Sequence, residues 1–261
     1  MNDRVVRILE ILSANKKVKT KLLAEMLDAS FVTVRKDLDL LENRGIVCRI
    51  HGYVGLDGAN DTGKRIAVNY SIKSRIAKTA AQIVEEGELV ILESGSCCAM
   101  LAEELALAKK NINIVTNSVF IANYVCKLQN LKITLLGGHL QPGSEVLVGP
   151  MTKKCAELVY SHKMFLGTDG FIPEYGFTGR DHLRIETAVE LAARAKEVYV
   201  LTEASKFKSR GSYNLIQFEK LTGVFTDDGI PKEAEAVLTN NKVRIHKVPA
   251  SIERIKWRLK K

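Results

Sequence analysis

The chain has 261 residues, a length typical of two domains, at least one of which can bury a large core. Its composition, 46% hydrophobic and 26% charged, is that of a globular protein, and the absence of any run of eighteen apolar residues excludes a transmembrane helix. The first ten residues lack the apolar core of a signal peptide, so we expect a cytoplasmic protein with no membrane partner.

The net charge of +9 points to nucleic acid as a partner, but the charge is unevenly distributed. The last twenty residues hold eight lysines and arginines against one acidic residue. We expect a solvated tail over residues 248–261, with a contact to the DNA backbone or to an acidic partner as alternatives. Evidence for DNA binding must therefore come from the N-terminal residues themselves.

The five cysteines form no C-x-x-C pair and no group with histidines at metal-ligand spacing. We therefore expect reduced thiols, no metal and no cofactor. Cys97 and Cys98 stand at the predicted start of a helix, where a thiolate would be favoured, so a redox sensor is a minor alternative.

Three helices are predicted within the first 45 residues. The apolar residues that recur at helical spacing in the first two helices are Val5, Ile8, Leu9, Leu12, Leu23, Met26 and Leu27. Asn2 or Asp3 can cap the first helix, Thr20 the second and Ser30 the third. A tight turn at residues 28–30 separates the second helix from the third.

The third helix has one apolar stripe and one polar face. The stripe consists of Phe31, Val34, Leu38 and Leu41. The residues opposite or beside it are Thr33, Lys36, Asp37 and Arg35. Two helices joined by a tight turn, the second with a polar outer face, are typical of the helix-turn-helix, whose second helix enters the major groove.

The segment "IVCRIHGYV", residues 46–54, follows this helix and predicts two short strands around His51-Gly52. Residues 1–54 are therefore predicted to form a winged helix-turn-helix. Arg49 and His51 would reach phosphates or a minor-groove edge. A three-helix bundle whose polar face only meets water is the alternative.

Residues 18–52 closely resemble the DNA-binding domain of the DeoR family of bacterial transcriptional regulators. The shared features are "TVRKDL" in the third helix, "LENRGIV" at its end and "R-x-HG" in the wing. The family usually has a second glycine after His-Gly, where this chain has Tyr53. The residues that we expect to contact double-stranded operator DNA are Thr20, Ser30, Thr33, Arg35, Lys36, Arg49 and His51.

Residues 55–65 contain three glycines and no apolar period, and they indicate a linker. A helix follows in which Ile72, Ile76, Ala80 and Ile83 share one face. From residue 88 the apolar segments "ELVILE", "INIVT", "KITLL", "KMFLG", "EVYVLT" and "GVFTD" alternate with helical patterns near residues 97–107, 118–127, 150–160, 184–195 and 231–238. This alternation predicts a Rossmann-like α/β domain over residues 66–247, with a mostly parallel sheet.

Small and polar residues follow successive predicted strands, and ligands of such sheets bind beyond the carboxyl ends of the strands. "ESGSCC", residues 93–98, follows the first strand and opens a helix, where backbone N–H groups would cradle a phosphate. The candidate effector contacts are Ser94, Gly95, Ser96, Cys97, Asn117, Asp169, Gly170, Arg180, Glu186 and Lys206. Since serine, glycine and aspartate are also ordinary turn residues, a set of turns without a ligand is the alternative.

The resemblance to the DeoR family extends to about residue 247. It implies an effector domain similar in fold to ribose-5-phosphate isomerase, a phosphorylated sugar as effector, and a homodimer or higher homo-oligomer that represses a carbohydrate operon. The family's D-S-G-T-T loop appears here as "ESGSC", so the Cys97 thiol replaces a stronger hydroxyl donor. The motifs "VTNS", "LGG", "VGP", "EASKF" and "TDDG" also match the family.

Two other functions are open for the second domain. An isomerase would need a carboxylate and a lysine to move a proton, and Asp169 and Glu186 could serve as carboxylates. However, "FIPEYGFTGRDHLRIE" contains no lysine, and Ala188 stands where the family often has one. Arg180 and Arg184 suit phosphate binding better than proton transfer. The other possibility is a scaffold that only dimerises.

Overall fold

The computed structural model describes residues 3–56, 61–108 and 111–250. Our predictions for Asn2 and for the tail beyond Ala250 fall outside these ranges. Within these ranges, no helix has the length and apolar character that crossing a membrane requires.

The N-terminal unit, residues 3–56, is a winged helix-turn-helix, as predicted. Its elements are helices α1 (Asp3–Ala14), α2 (Thr20–Met26) and α3 (Phe31–Asn43) and strands β1 (Val18–Lys19), β2 (Val47–Ile50) and β3 (Tyr53–Leu56). The strands pair antiparallel in the order β1-β3-β2. His51 and Gly52 both have positive φ, 49° and 79°, which a two-residue hairpin turn with right-handed twist requires.

The core of this unit contains most of the apolar residues predicted by helical spacing. The residues confirmed as buried are Val5, Ile8, Leu9, Leu12, Leu23, Leu27, Val34, Leu38 and Leu41. The prediction is wrong for Met26 and Phe31, which are 47% and 49% exposed. Met26 ends α2 and Phe31 begins α3. Periodicity gives the angle of a side chain around its helix, but not the place where the neighbouring helix stops covering it.

The predicted N-caps have different outcomes. The Ser30 hydroxyl accepts a hydrogen bond from the Thr33 N–H at 3.1 Å, which confirms Ser30 as the cap of α3. The cap prediction for Thr20 is wrong, because Lys19 is the N-cap of α2. The Thr20 N–H and hydroxyl instead donate to the Gly52 carbonyl at 2.9 and 3.1 Å. Thr20 therefore ties α2 to the wing.

Two helices connect the units: α4 (Asp61–Ala67), which we call the connector helix, and α5 (Tyr70–Ala81). Residues 61–65 were predicted as part of a linker, yet they are helical. Thr62 and Ile66 are fully buried, and Ile66 belongs to the same apolar cluster as α1. A seven-residue helix shows too few turns for a period to be visible, so its burial is a tertiary effect.

The effector unit is built on a seven-stranded parallel sheet, which confirms the predicted α/β fold. Its strands are β4 (Leu89–Leu92), β5 (Ile112–Thr116), β6 (Leu131–Leu135), β9 (Ser161–Leu166), β12 (Ala195–Leu201), β14 (Gly223–Asp227) and β15 (Arg244–Val248). Its helices are α6 (Ser96–Ala108), α7 (Val119–Val125), α8 (Pro150–Ala156), α9 (His182–Ala193) and α10 (Lys232–Asn240). The order β15-β14-β12-β9-β4-β5-β6 reverses direction between β4 and β9, which is where ligands bind in sheets of this kind.

Two small antiparallel sheets, which we did not predict, flank the carboxyl edge of the large one. One is the hairpin of β7 (His139–Gln141) and β8 (Val146–Val148); the other contains β10 (Gly170–Ile172), β11 (Gly176–Gly179) and β13 (Tyr213–Ile216). The chain also forms 3-10 helices at Ala204–Lys208 and Phe218–Lys220. Strands of three or four residues carry almost no periodic signal, so only their pairing reveals them.

Candidate functional site

The outer surface of α3 presents basic and apolar side chains. Arg35 and Lys36 are exposed, and Val32 is 64% exposed. Thr33 is half-buried, and its hydroxyl lies 2.8 Å from that of the cap residue Ser30. The first two turns of α3 therefore offer the mixture of cations and small groups that a helix needs to contact phosphates and base edges.

Asp37, predicted on the polar face, holds α1 and α3 together. Its carboxylate accepts two hydrogen bonds from the Arg4 guanidinium, one of them 3.2 Å long from Nη2. Asp37 is only 12% exposed. This ion pair also raises the pKa of Arg4. The acidic group is thus neutralised inside the unit, which leaves the basic character of the outer surface to Arg35 and Lys36.

The wing joins α3 through Arg49. Its guanidinium lies 2.7 Å from Asp39 and also pairs with Glu42, and the Arg49 backbone N–H donates to Glu42 at 3.1 Å. These carboxylates, first Glu42 and then Asp39, raise the pKa of Arg49. Arg49 therefore orients the wing against α3, while His51 is exposed at the tip of the hairpin.

Tyr53, where this chain departs from the family pattern, gathers positive charge at the wing. The ammonium groups of Lys17 and Lys19 lie 5.1 and 5.8 Å from the centre of its ring. Both lysines are exposed. Cation–π contacts at this distance are attractive, so the wing is flanked by two ordered cations.

A polar cleft lies at the carboxyl ends of β4, β9 and β12, where the order of the sheet reverses. Its charged side chains are Arg65, Arg180, Arg184 and Lys206, together with Glu93, Asp169, Asp181 and Glu203. Gly95, Ser96 and Cys97 line it at the first turn of α6. The cleft thus combines a helix N-terminus and four cations, which attract an anion, with carboxylates that accept hydrogen bonds from hydroxyl groups.

Two glycines let the loops of neighbouring strands meet below the cleft. A Cβ atom on Gly95 would lie 3.1 Å from the Gly167 Cα, and one on Gly167 would lie 3.2 Å from the Gly95 Cα. Such distances are tighter than ordinary van der Waals contacts. The absence of side chains at both positions therefore allows the loops after β4 and β9 to pack backbone against backbone, so Ser96 and Asp169, which follow these strands, line the same cleft.

Lys206 is fixed by its neighbours in the 3-10 helix. The Phe207 ring packs against those of Phe171 and Phe177, with centroids 5.2 and 5.7 Å apart. The Asp227 carboxylate accepts a hydrogen bond from the Ala204 N–H at 2.7 Å. The "TDDG" motif thus holds the loop that carries Lys206 and does not itself line the cleft.

Hydrogen bonds also orient the acidic and basic groups of the cleft. Asp169 accepts from the Arg180 N–H at 3.0 Å, and Asp181 caps α9 by accepting from the Arg184 N–H at 2.9 Å. The Arg184 guanidinium donates to Ser94 at 3.4 Å, while its Nε is buried and has no hydrogen-bond partner in the described part of the chain. The Arg184 side chain is thus held between Ser94 and the cleft, with one buried donor left unpaired among the described residues.

Comparison with known families matches both units. Residues 4–58 match the DeoR-like helix-turn-helix domain, and residues 68–228 match the DeoR C terminal sensor domain. The chain belongs to the DeoR family. The sensor-domain match alone spans more than half of the chain, which confirms the family assignment made from the sequence motifs.

Curated DeoR-family relatives are similar over most of their length. The putative aga operon transcriptional repressor of Escherichia coli O157:H7 is 24% identical over 89% of this chain and 88% of its own. The lactose phosphotransferase system repressor of Staphylococcus epidermidis is 27% identical over 90% and 95%. The regulator FruR of Bacillus subtilis is 28% identical over 92% and 94%.

Solved structures give weaker matches. Ribose 5-phosphate isomerase from Plasmodium falciparum has 15% identity and a TM-score of 0.39 over 52% of each chain. The sorbitol operon regulator SorC from Klebsiella pneumoniae has 10% identity and a TM-score of 0.40 over 91% of this chain and 99% of its own.

In this DeoR-family chain, six of the ten candidate effector residues line the cleft: Gly95, Ser96, Cys97, Asp169, Arg180 and Lys206. The other four lie elsewhere. Ser94 is buried behind the cleft, where its hydroxyl donates to Glu93. Asn117 is buried and donates to the Leu147 carbonyl at 3.0 Å. Gly170 packs so closely on Ser209 that a Cβ would lie 2.4 Å from its carbonyl oxygen.

Glu186 also lies outside the cleft. It pairs with Lys153 at 2.6 Å and with His182 at 3.5 Å, and the Lys153 ammonium lowers the pKa of this carboxyl group. Ile185 and Ala188, its neighbours on α9, do line the cleft. Successive positions on a helix are 100° apart, so Glu186 projects away from the face that these two residues share.

The cysteines at the start of α6 do not support a redox sensor. Cys97 and Cys98 are 4% and 0% exposed. Burial raises the pKa of Cys97 to about 12 and that of Cys98 well above its ordinary value. The reactive thiolate is therefore disfavoured at both positions, and the Cys98 thiol donates to the Phe165 carbonyl. No group of three or more metal-ligating side chains occurs within the described ranges.

Several cleft residues were not predicted as effector contacts. The charged ones are Arg65, Glu93, Asp181, Arg184 and Glu203. The sequence offered some indication for two of them: Glu93 stands at the aspartate position of the family's loop, and Arg184 suits phosphate binding. Glu203 follows β12 and could have been predicted from the rule that ligands bind beyond the carboxyl ends of parallel strands. Arg65 carried no such signal, because it precedes the whole sheet.

Proposed function

We propose that this protein is a transcriptional repressor of a carbohydrate uptake or catabolism operon, controlled by a phosphorylated sugar that binds in the cleft. The observation that carries this proposal is the cleft itself. Four cations and a helix N-terminus suit a phosphate, and four carboxylates beside them suit the hydroxyl groups of a sugar. The names of the aga operon and lactose phosphotransferase system repressors support a role in carbohydrate metabolism.

In this proposal, α3 and the wing contact operator DNA. Arg35 and Lys36 neutralise phosphates or reach base edges, Ser30 and Thr33 contact the backbone at the start of α3, and Arg49 and His51 contact it from the wing. Thr20 is omitted because its hydroxyl is buried and bonded to Gly52. A homodimer or higher oligomer would place two such units on two half-sites.

The effector would bind with its phosphate at the first turn of α6. The backbone N–H groups of residues 95–97, Arg180 and Lys206 would hold the phosphate, and Asp169 would accept a hydrogen bond from a sugar hydroxyl. The ligand changes DNA affinity only to the extent that it binds the DNA-competent and the DNA-released arrangements with different affinity. We propose that it favours the released arrangement.

Binding alone suffices for this role, and we propose that the protein is not an enzyme. The relatives are named as regulators, and fold similarity to an isomerase does not transfer activity. A cleft with Asp169, Glu203 and Lys206 nevertheless contains the carboxylates and the lysine that proton transfer needs. A direct test of activity is therefore needed: after incubation of the protein with each pentose, hexose and polyol phosphate, NMR should show the compound unchanged.

The test has two steps. The first is a thermal-shift screen against a panel of pentose, hexose and polyol phosphates. Compounds of one chemical class should raise the melting temperature of the protein, since a ligand that binds the folded state stabilises it by mass action. The same compound should then weaken binding to an operator duplex selected from a random pool, and the unphosphorylated sugar serves as the control. Absence of a shift with every phosphate, or a shift without any change in DNA affinity, contradicts the proposal.

A further inference from the structure

Arg65 lines the cleft although it lies outside both family matches, which cover residues 4–58 and 68–228. It belongs to the connector helix α4, between the DNA-binding unit and the sheet. Its guanidinium donates to the Thr62 hydroxyl at 3.0 Å. The chain therefore places a cation of its interdomain connector among the side chains that line the cleft.

The cleft brings Arg65 together with a second cation, Lys206, and with the first turn of α6, where Cys97 lies. A planar guanidinium can hold two phosphate oxygens at once, a geometry that lysine lacks. A phosphate bound at this turn would thus contact the connector helix and the sheet together.

The opposite side of α4 rests on the end of the DNA-contacting helix. A Cβ atom on Gly63 would lie 2.2 Å from the carbonyl oxygen of Gly45, two residues beyond α3, so the two backbones are in direct contact. The Ser13 hydroxyl of α1 donates to the Ala67 carbonyl at 3.2 Å. A displacement of α4 therefore cannot occur without a change at α1 or at the end of α3.

The last turn of α4 is also fastened to the cleft. The buried Lys73 ammonium donates to the carbonyl groups of Arg65 and Val68, and it lies 3.5 Å from the Glu203 carboxylate. The Asn69 side chain donates to Glu203 at 2.8 Å. Burial lowers the pKa of Lys73, whereas Glu203 acts to raise it. A cleft residue and the connector helix thus share one hydrogen-bonded cluster.

We propose that Arg65 binds the phosphate of the effector and that α4 transmits occupancy of the cleft to the end of α3 through the contact between Gly63 and Gly45. This inference rests on the proposed function, because it assumes a phosphorylated ligand in the cleft. It adds a ligand contact from outside the sensor domain and a path from that ligand to the DNA-binding unit.

The first test separates Arg65 from its neighbour. Binding of inorganic phosphate, and of the panel compound with the largest thermal shift, is measured by calorimetry on full-length Arg65→Ala, Arg65→Lys and Lys64→Ala. Lys64 precedes Arg65 on the same helix and does not line the cleft. Loss of a charge-assisted contact should weaken binding about 10- to 100-fold in Arg65→Ala, with partial recovery in Arg65→Lys and less than about 2-fold change in Lys64→Ala.

The second test asks whether α4 transmits ligand binding in the cleft to the end of α3. Gly63→Ala should change the response of DNA affinity to the ligand by more than it changes ligand affinity itself, because the new methyl group would meet the Gly45 carbonyl directly, whereas residue 63 does not line the cleft. DNA affinity is measured in the presence of the panel compound with the largest thermal shift and, at equal ionic strength, in chloride without that compound. The melting temperature of each variant without ligand checks that it is folded. If Gly63→Ala is not folded, Ser13→Ala carries the test, because it removes the hydrogen bond between α1 and the Ala67 carbonyl of α4.

The outcomes distinguish this proposal from the proposed function. A wild-type chain that binds neither phosphate nor any panel compound overturns both. A wild-type chain that binds and responds, with an Arg65→Ala variant that binds equally well, overturns the role of Arg65 alone. A Gly63→Ala variant that is folded and still releases DNA normally on ligand binding overturns the path through α4.

Discussion

The two units of this protein assemble their functional surfaces in opposite ways. In the N-terminal unit, the exposed residues of α3 and the wing come from a continuous stretch of about twenty residues, 30–51. In the effector unit, the cleft takes side chains from the ends of β4, β9 and β12, from the loop after β11, from α6 and α9, from the 3-10 helix that carries Lys206, and from the connector helix. A contiguous surface is fixed by local helix and turn geometry, whereas a dispersed one depends on the order of the strands.

The units nevertheless share one apolar core. A single buried cluster contains residues of α1, α3, α4, α5, α6 and α7. At its edge, Arg44 at the end of α3 pairs with Glu103 of α6 at 2.8 Å and lies 5.2 Å above the Tyr124 ring. The Tyr124 hydroxyl donates to Glu103 at 2.7 Å. The helix whose first turn lines the cleft is therefore bonded to the end of α3, the second helix of the helix-turn-helix.

The largest expected effect tests whether the two units unfold together. Arg44→Ala leaves the Glu103 carboxylate, in a residue that is 6% exposed, without this cation. Loss of one partner of a buried pair costs about 3 kcal/mol, and the whole chain should lose this amount in one urea transition. Arg35→Ala, exposed on the same helix, should change stability by less than about 0.5 kcal/mol. Two separate transitions, with the effector unit unaffected, would show that the units are independent.

The next effect concerns the cleft alone. Lys206→Ala should weaken binding of the effective sugar phosphate about 10- to 100-fold, because it removes a charge-assisted contact, and should leave DNA affinity without ligand unchanged. Lys208→Ala is the matched control, since Lys208 is exposed on the same 3-10 helix and does not line the cleft. Equal ligand affinity in both variants, measured by calorimetry, would move the phosphate to another part of the cleft.

A smaller effect is expected at the DNA surface. Lys36→Ala should reduce the slope of log affinity against log salt by about one, the amount that one phosphate contact contributes, and should spare ligand binding. Fluorescence anisotropy at four salt concentrations gives the slope. The control is Lys132→Ala, an exposed lysine on β6 of the effector unit. An unchanged slope for Lys36→Ala would remove this residue from the interface.

The smallest effect lies in the outermost strand of the effector unit. Burial, assisted by Arg244, lowers the pKa of His246 below 6.5, and its ring stacks on Phe225 with centroids 4.2 Å apart. The His246 imidazole therefore takes up a proton less readily in the folded chain than in the unfolded chain. The contribution of the neutral imidazole to folding stability is present above pH 6.5 and is lost as the pH falls below that value. The melting temperature should consequently fall more between pH 7.5 and 5.5 in the wild type than in His246→Asn. Parallel pH profiles would contradict this.

Much of the fold was predictable because its long elements are periodic. The six predicted strands of the parallel sheet and the five predicted helices beside them all occur. The seventh strand, β15, and the short strands of the two small sheets were missed. Their residues alternate too briefly to be distinguished from loop, and they become strands because segments distant along the chain pair with one another, as β11 does with β13.

The candidate cleft was predictable where a residue follows a strand of the sheet. Asp169 and Lys206 were placed in this way, since the carboxyl ends of parallel strands meet at one edge. Glu186 was not, because the same rule cannot tell which face of α9 points to the cleft. Asn117 follows β5, but its amide is used by the Leu147 carbonyl of the neighbouring hairpin. Such competition between a ligand and the protein's own backbone is visible only when both partners are located.

The sequence by itself determined the winged helix-turn-helix, the parallel sheet and the family, because each follows from spacing within a few consecutive turns or strands. Only the tertiary structure decided that Arg65 faces the cleft and that Gly63 rests on Gly45. It also decided that Arg44 meets Glu103 across the two units. These contacts join residues that are distant along the chain, and burial of a shared apolar core, which local pattern does not specify, brings them together.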